Sequence, residues 1–206
     1  DHAYRAAAPT VLDLDHFYRY IAADALMGNQ EGGLQSGRAD DVSIYRGLTD
    51  TRFRFVPHDL DDVFNLGTGA GNPETRSIFS YDTASDGVQG LTRLFNHPQL
   101  VPKYYAALLE AMNTWFNRAP LDPVLEQILA GCVPAATITN CKNFIDARRA
   151  NVLGQIQQAY SLMATATATS PEGFAQTTDG AATIGGTFNV ARTYSITVNG
   201  QPAQLF

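Results

Sequence analysis

Lysine is the scarcest charge in this chain: among 206 residues only Lys103 and Lys142 carry an ammonium. Lysine and arginine together number 14 against 20 aspartates and glutamates, a net charge of −6. Polyanion binding draws its affinity from counterions displaced by clustered cations, so this balance argues against a nucleic-acid partner. Cysteine is almost absent too. Cys132 and Cys141 have no companion Cys or His at zinc spacing and are too few for a disulfide scaffold. No apolar run reaches membrane-spanning length and mean hydropathy is −0.14, which leaves no transmembrane helix to expect. Charged residues make up 17% of the chain, below the globular norm of roughly 25%, with Thr, Ala, Asn and Gly in their place, a composition leaning toward secreted proteins. The chain opens on Asp1 with neither initiator Met nor leader and closes on the apolar Gln204-Leu205-Phe206, which reads as an internal piece of something longer.

What is present divides into three stretches. Asp13 is placed to cap a helix running to about Met27, with Leu14, Phe17, Ile21 and Ala25 at helical spacing, Leu12 positioned to staple on Phe17, and Gly28-Asn29 to end it. A polar, glycine-rich loop over 30–38 follows. Val42-Ser43-Ile44-Tyr45 and Phe53-Arg54-Phe55-Val56 read as a β-hairpin. Pairing Arg46 with Arg52 sets Val42 opposite Val56 and brings Asp40 and Asp41 to the same end as His58 and Asp59. From Leu91 to Tyr160 the pattern is helical: a helix after Pro98 buries Leu100, Tyr104, Leu108, Met112 and Trp115, a short one spans about Asp122 to Ala130, and one opened by Pro134 buries Ile138, Cys141, Ile145, Val152 and Ile156. Cys132 precedes Pro134 and Cys141 lies about two turns into that last helix, which predicts a disulfide between them, with two separately buried thiols as the alternative. The Thr/Ala run at 165–169 is a linker by composition. Beyond it, Thr187 to Val190 and Tyr194 to Val198 read as strands, and Asn199-Gly200 as a hairpin turn.

The densest chemical signal is Pro57-His58-Asp59-Leu60-Asp61-Asp62-Val63-Phe64, taken with Asp40-Asp41 and Glu31. Hard divalent cations take carboxylate oxygens, and Mg²⁺ is commonly held by one or two carboxylates plus substrate phosphates. Strand alternation would point Asp59 and Asp61 to one side and His58 to the other. The competing reading is that Asp61 or Asp62 caps a helix beginning near Val63. The loop Gly67-Thr68-Gly69-Ala70-Gly71-Asn72 is no P-loop, since no Lys-Ser/Thr follows it. His2, His16, His58 and His97 are scattered, with neither a helical His pair nor a Ser nucleophile motif; His97 reads as a helix cap.

The segment from Asp13 to Phe64 resembles the spore-coat CotH kinase family, whose signature is an Asn-Trp-Asp-like turn after a helix, an Asn-Tyr-Tyr-Leu-Tyr-like strand and Pro-Trp-Asp-Leu-Asp before a Phe. Here those places are held by Gly28-Asn29-Gln30-Glu31, by Asp41-Val42-Ser43-Ile44-Tyr45 and by Pro57-His58-Asp59-Leu60-Asp61 with Phe64. The resemblance implies an α+β fold: a mostly helical kinase-like C-terminal lobe over 1–163 with a β-hairpin at its active site, a linker over 164–182 and the start of a β-sandwich-like domain over 183–206. It implies a secreted or surface-displayed bacterial protein that moves the γ-phosphoryl of ATP onto Ser of a Ser-rich protein substrate, with Mg²⁺ or Mn²⁺ as cofactor. Carried over position by position, Asp59 becomes the metal-binding carboxylate, Glu31 the catalytic carboxylate, Asp41 and Asp61 further metal positions and Phe53 a stacking surface for the nucleotide base. Glu31 stands where the family has the shorter Asp, and Asp41 where it has a neutral Asn. Because an N-terminal lobe supplies the cationic phosphate clamp in the family and both lysines here lie in the helical part, the stretch alone is expected to be inactive. Two other functions fit the same residues: a surface binding or adhesion module, and a degenerate kinase fold keeping a structural cation. Oligomeric state is not legible.

Overall fold

The computed structural model describes residues 2–31, 34, 41–67, 71–80, 89–156, 161–165, 168–171, 175–177, 181–189, 193, 195–198 and 200–203. Asp40, most of the 30–38 loop, the middle of the Gly67–Asn72 loop, Val190, Tyr194 and Asn199 fall outside them. The described residues form an α+β fold, six helices with small antiparallel two-stranded sheets, as expected.

Its centre is α2 (Leu14–Met27). Asp13 caps it, accepting from the His16 N–H, and Gly28 ends it at φ 67°, its N–H turned back to the Ala25 and Asp24 carbonyls. One stripe of α2, including Phe17, Tyr18, Ile21 and Leu26, is wholly buried. Ahead of it lies α1 (His2–Val11), a helix the sequence did not announce.

The hairpin of β1 (Val42–Arg46) and β2 (Phe53–Pro57) rests on α2 through Phe55, whose ring stacks on Tyr20 at 5.6 Å and meets Phe17 edge-on at 5.3 Å. Its register is one residue from the expected one: Val42 faces Pro57 and Arg46 faces Phe53. Arg52 is the cause. It leaves the ribbon for the loop, where Asp50 accepts from both its backbone N–H (3.1 Å) and its guanidinium (2.8 Å). The guanidiniums of Arg52 and Arg54 both reach Asp13, at 3.5 and 3.0 Å, so the helix cap and the hairpin turn share one ionic cluster.

Helices α3 (Gln89–Asn96), α4 (Val101–Thr114), α5 (Arg118–Leu129) and α6 (Ala135–Gln155) close the core. Leu100, Tyr104, Leu108 and Met112 are buried as expected, but Trp115 sits past the end of α4 and is 36% exposed. Asn117 starts α5 four residues earlier than Asp122, by accepting from the Ala119 N–H. His97 is not the cap read from its place before Pro98: Leu100 holds the N-cap position of α4 with no side-chain cap bond, and the His97 ring instead accepts from the Gln99 N–H within the preceding turn. The expected inner stripe of α6 is buried throughout. The expected disulfide is not formed. Both thiols are free, because Cys141 faces the core while Cys132 faces solvent.

After α6 come β3 (Ser161–Ala164) paired with β6 (Ile184–Thr187), β4 (Ala168–Thr169) with β5 (Ala175–Gln176), and β7 (Thr197–Val198) with β8 (Gln201–Pro202). Thus short strands also occur within 164–182, the segment read as linker. No helix among the described residues is long and apolar enough to cross a membrane.

Candidate functional site

The C-terminal turn of α2 is stitched to the segment leaving the hairpin. The Phe64 N–H donates to the Met27 carbonyl at 2.9 Å, and the Gln30 N–H donates to the Asp62 carbonyl at 3.2 Å. Asn29, 1% exposed, braces the turn from inside: its side-chain oxygen accepts from the Glu31 N–H at 3.1 Å, and its own carbonyl accepts from Arg76 at 3.1 Å. Gly28 is obligatory here, since a Cβ would stand 2.8 Å from the Phe144 ring and 3.0 Å from Pro73, on a left-handed backbone. The Phe64 ring locks the other strand of the stitch by stacking on Phe116 and meeting Phe144 edge-on.

These backbone ties bring acids from three segments together. The Glu31 carboxyl is held above the ordinary glutamate range by partial desolvation and then by the negative charges of Asp62, Asp61, Asp41 and Asp59. Asp41 reaches the same end of the ribbon because its carbonyl accepts from the His58 N–H at 3.1 Å. Asp59 and Asp61 are exposed and Asp41 half-buried. The strand stops at Pro57, and Asp59 adopts φ 52°, so the alternation expected to aim Asp59 and Asp61 together does not continue past it. Nor does a helix begin near Val63: Phe64 and Asn65 are left-handed at 55° and 60°, and neither Asp61 nor Asp62 is a helix cap. Left-handed backbone at a bulky residue such as Phe64 costs about 1–2 kcal/mol and persists because the surrounding contacts over-determine it.

Phe53 is not brought to the acids. It opens β2 at the turn end of the ribbon, about 13 Å from Pro57 by strand rise, with the Arg46 guanidinium over its ring at 5.4 Å.

Asp62, read from the sequence only as a candidate helix cap, is the buried acid of the run. It is 4% exposed, and neither carboxylate oxygen has a hydrogen-bond partner. Gly67 makes its space, because a Cβ there would fall on that carboxylate. Nothing in the run Asp59-Leu60-Asp61-Asp62 separates the buried acid from the exposed ones; only the turn geometry does. Among the described residues no three His, Cys, Asp or Glu groups stand close enough to hold a metal by themselves. The donors nevertheless suit a hard cation of the Mg²⁺ or Mn²⁺ kind, which needs only one or two carboxylates when water and phosphate oxygens complete its shell.

Fold and site together define a helix-rich α+β domain with an oxygen-donor acidic centre where a helix end meets a hairpin exit. The sequence profile of the family described as CotH kinase protein matches residues 1–148, so the chain belongs to the CotH kinase family. A comparison with curated proteins gives no match.

Proposed function

We propose that this chain is the catalytic-lobe portion of a secreted CotH-like kinase that transfers the γ-phosphoryl of ATP to Ser of extracellular or surface proteins. The observation that carries the reading is the convergence of Glu31 with Asp41, Asp59, Asp61 and Asp62 where α2 meets the hairpin exit. Family membership supports the reaction class. One or two of Asp59, Asp41 and Asp61 would hold the cation, with water and phosphate oxygens completing its shell, and the cation when bound would neutralise charge developing on the transferring phosphoryl group. Glu31 would orient the accepting serine hydroxyl and take its proton. Its raised affinity for a proton suits that task, and its backbone is fixed by Asn29. A protein acceptor with Ser-rich segments fits the exposed position of Glu31.

A degenerate fold with a structural cation draws on the same buried Asp62, and nucleotide dependence separates the two. Calorimetry on the intact protein should give a Mn²⁺ affinity that rises when a non-hydrolysable ATP analogue is present. Equal affinity with and without the analogue would favour the structural cation.

A further inference from the structure

We propose that the basic cleft at the N-terminal end of α2 docks a phosphoserine of the acceptor protein, so that a serine already phosphorylated holds its chain while the next is presented. The inference rests on the kinase reading for the source of the phosphoserine and goes beyond it in assigning a second site.

The cleft has a volume of about 340 Å³, in the range of small-ligand pockets, and lies between α1, the hairpin turn and the first turns of α2 and α4. Leu14 and Leu100 give it a buried apolar floor. Arg5, Arg52 and Lys103 line it against the single carboxylate of Asp15. In a chain of net charge −6 this convergence of cations from three segments is a local reversal of sign. Asp15 responds to it: the Lys103 hydrogen bond above all, with the charges of Lys103, Arg19 and Arg52, holds its carboxyl below the ordinary aspartate range. Donors remain for a ligand. Arg5 meets only the neutral Gln99 side chain, through Nη1. Arg52 turns Nε and Nη2 to Asp50 and Asp13, which leaves Nη1 without an acceptor among the described residues. Lys103 bonds Asp15 at 2.7 Å in an exposed pair that a stronger anion can displace. A phosphate monoester brings more charge than a carboxylate and three acceptor oxygens, which guanidinium groups match in shape.

The cleft suits a chain rather than a free anion because it opens onto a groove. Two hollows of about 150 and 130 Å³ continue along the seam of α2 and α4, the first sharing Asp15 and Lys103 with the cleft and the second ending on Trp115. The Trp115 ring lies 5.6 Å from Phe116, which stacks on Phe64 at the stitch beside the acidic centre. The 14 residues of α2 span about 21 Å, so about six or seven extended residues reach from the cleft to the end of the helix where Glu31 stands.

The test measures binding to the intact protein of a labelled Ser/Gly peptide carrying one phosphoserine, of the same peptide unphosphorylated or with Glu in that place, and of inorganic phosphate. The phosphopeptide should bind at least about tenfold tighter than each of the others, and added salt should weaken it. Arg5→Gln and Lys103→Gln should each cost about tenfold with the melting temperature unchanged, since both side chains sit in exposed contacts. Lys103→Arg should restore binding, and Asp15→Asn should tighten it by removing the competing carboxylate. Equal binding of the phosphorylated and unphosphorylated peptides, or wild-type binding by both Gln variants, would overturn the site. A Glu peptide bound as tightly would overturn the phosphoserine, and inorganic phosphate bound as tightly would overturn the chain. In a transfer assay, a phosphoserine about six or seven residues from the acceptor serine should lower KM with kcat unchanged, a difference that Lys103→Gln should cancel. Phosphopeptide binding without transfer leaves the cleft standing and removes the kinase, whereas transfer by a protein that does not discriminate the phosphopeptide removes the cleft alone.

Discussion

Replacing Arg148 by Met should unfasten the site from the helical core. Arg148 lies on the inner side of α6 and is 1% exposed. Its Nε and Nη2 both donate to the Ala25 carbonyl, at 3.0 and 2.9 Å, capping the last turn of α2. Its Nη1 donates to the carbonyls of Arg76 at 2.6 Å and Glu74 at 3.2 Å, and to the Asn151 side chain at 3.3 Å. One guanidinium thus joins α6, the end of α2 and the 74–76 segment, whose Arg76 in turn holds Asn29. Charge-assisted bonds to three carbonyls are worth about 1.5–3 kcal/mol each in gross terms. Removing the ion also removes its desolvation cost of several kcal/mol, and Met keeps much of the buried stem. What remains is three carbonyls stripped of their best donor, at about 1 kcal/mol each. Two of the three keep a weaker one: Gly28 N–H on Ala25 and Gln155 on Arg76, both at 3.3 Å. The expected loss is about 2–4 kcal/mol, a large part of a total stability near 5–15 kcal/mol, or roughly 5–15 °C in melting temperature for a domain of this size. Urea unfolding read on the single tryptophan, Trp115, measures it. Arg148→Lys should fall between, since an ammonium is a point donor and cannot fork between three carbonyls. A loss below about 1 kcal/mol for Arg148→Met, or a lysine variant as stable as wild type, would refute the reasoning.

Gly28→Ala should cost about 2–4 kcal/mol, combining a left-handed alanine with the contacts at Phe144 and Pro73, and thermal melting checks it. Acid should destabilise the fold. Hydrogen bonds from Arg52, Lys103 and Arg118 lower the carboxyls of Asp50, Asp15 and Asp122 respectively, so their stabilisation is present above the unfolded value near pH 4 and fades as pH falls through the lower folded values. A melting temperature that stays flat from about pH 5 to pH 2 would contradict this. Thiol labelling of the native, unreduced protein should modify Cys132 at once and Cys141 only on unfolding, because burial removes Cys141 from solvent and raises its thiol. Labelling of neither thiol after denaturation would restore the disulfide.

The elements that rest on local rules were legible before the structure. Asp13 and Gly28 bracket α2 as capping chemistry requires, and the stripes of α4 and α6 are buried at the residues their spacing names. The hairpin was legible too, but its register was not, because the pairing depends on Arg52 leaving the ribbon for Asp50 and Asp13, a tertiary ion cluster. Helix α1 carries Pro9 inside it and no acid in its first turn, so local signals were weak. The convergence of Glu31, Asp41 and the 59–62 run on one end of the ribbon was readable from order and topology. Which aspartate goes inside was not, since three left-handed residues between 59 and 65 turn the chain there. Arg148 was equally hidden: an arginine on a helix stripe reads as surface until the carbonyls that receive it are known.

The most direct measurement is labelled-phosphate incorporation from ATP into a Ser-rich acceptor by the intact protein with Mn²⁺, alongside Asp59→Asn and Glu31→Gln, with melting temperatures in parallel. The account predicts incorporation by the wild type, its loss in Asp59→Asn without loss of fold, and a slowing of roughly 10²–10⁴-fold in Glu31→Gln. Incorporation by Asp59→Asn at the wild-type rate, or none by the wild type with either Mn²⁺ or Mg²⁺, would contradict it.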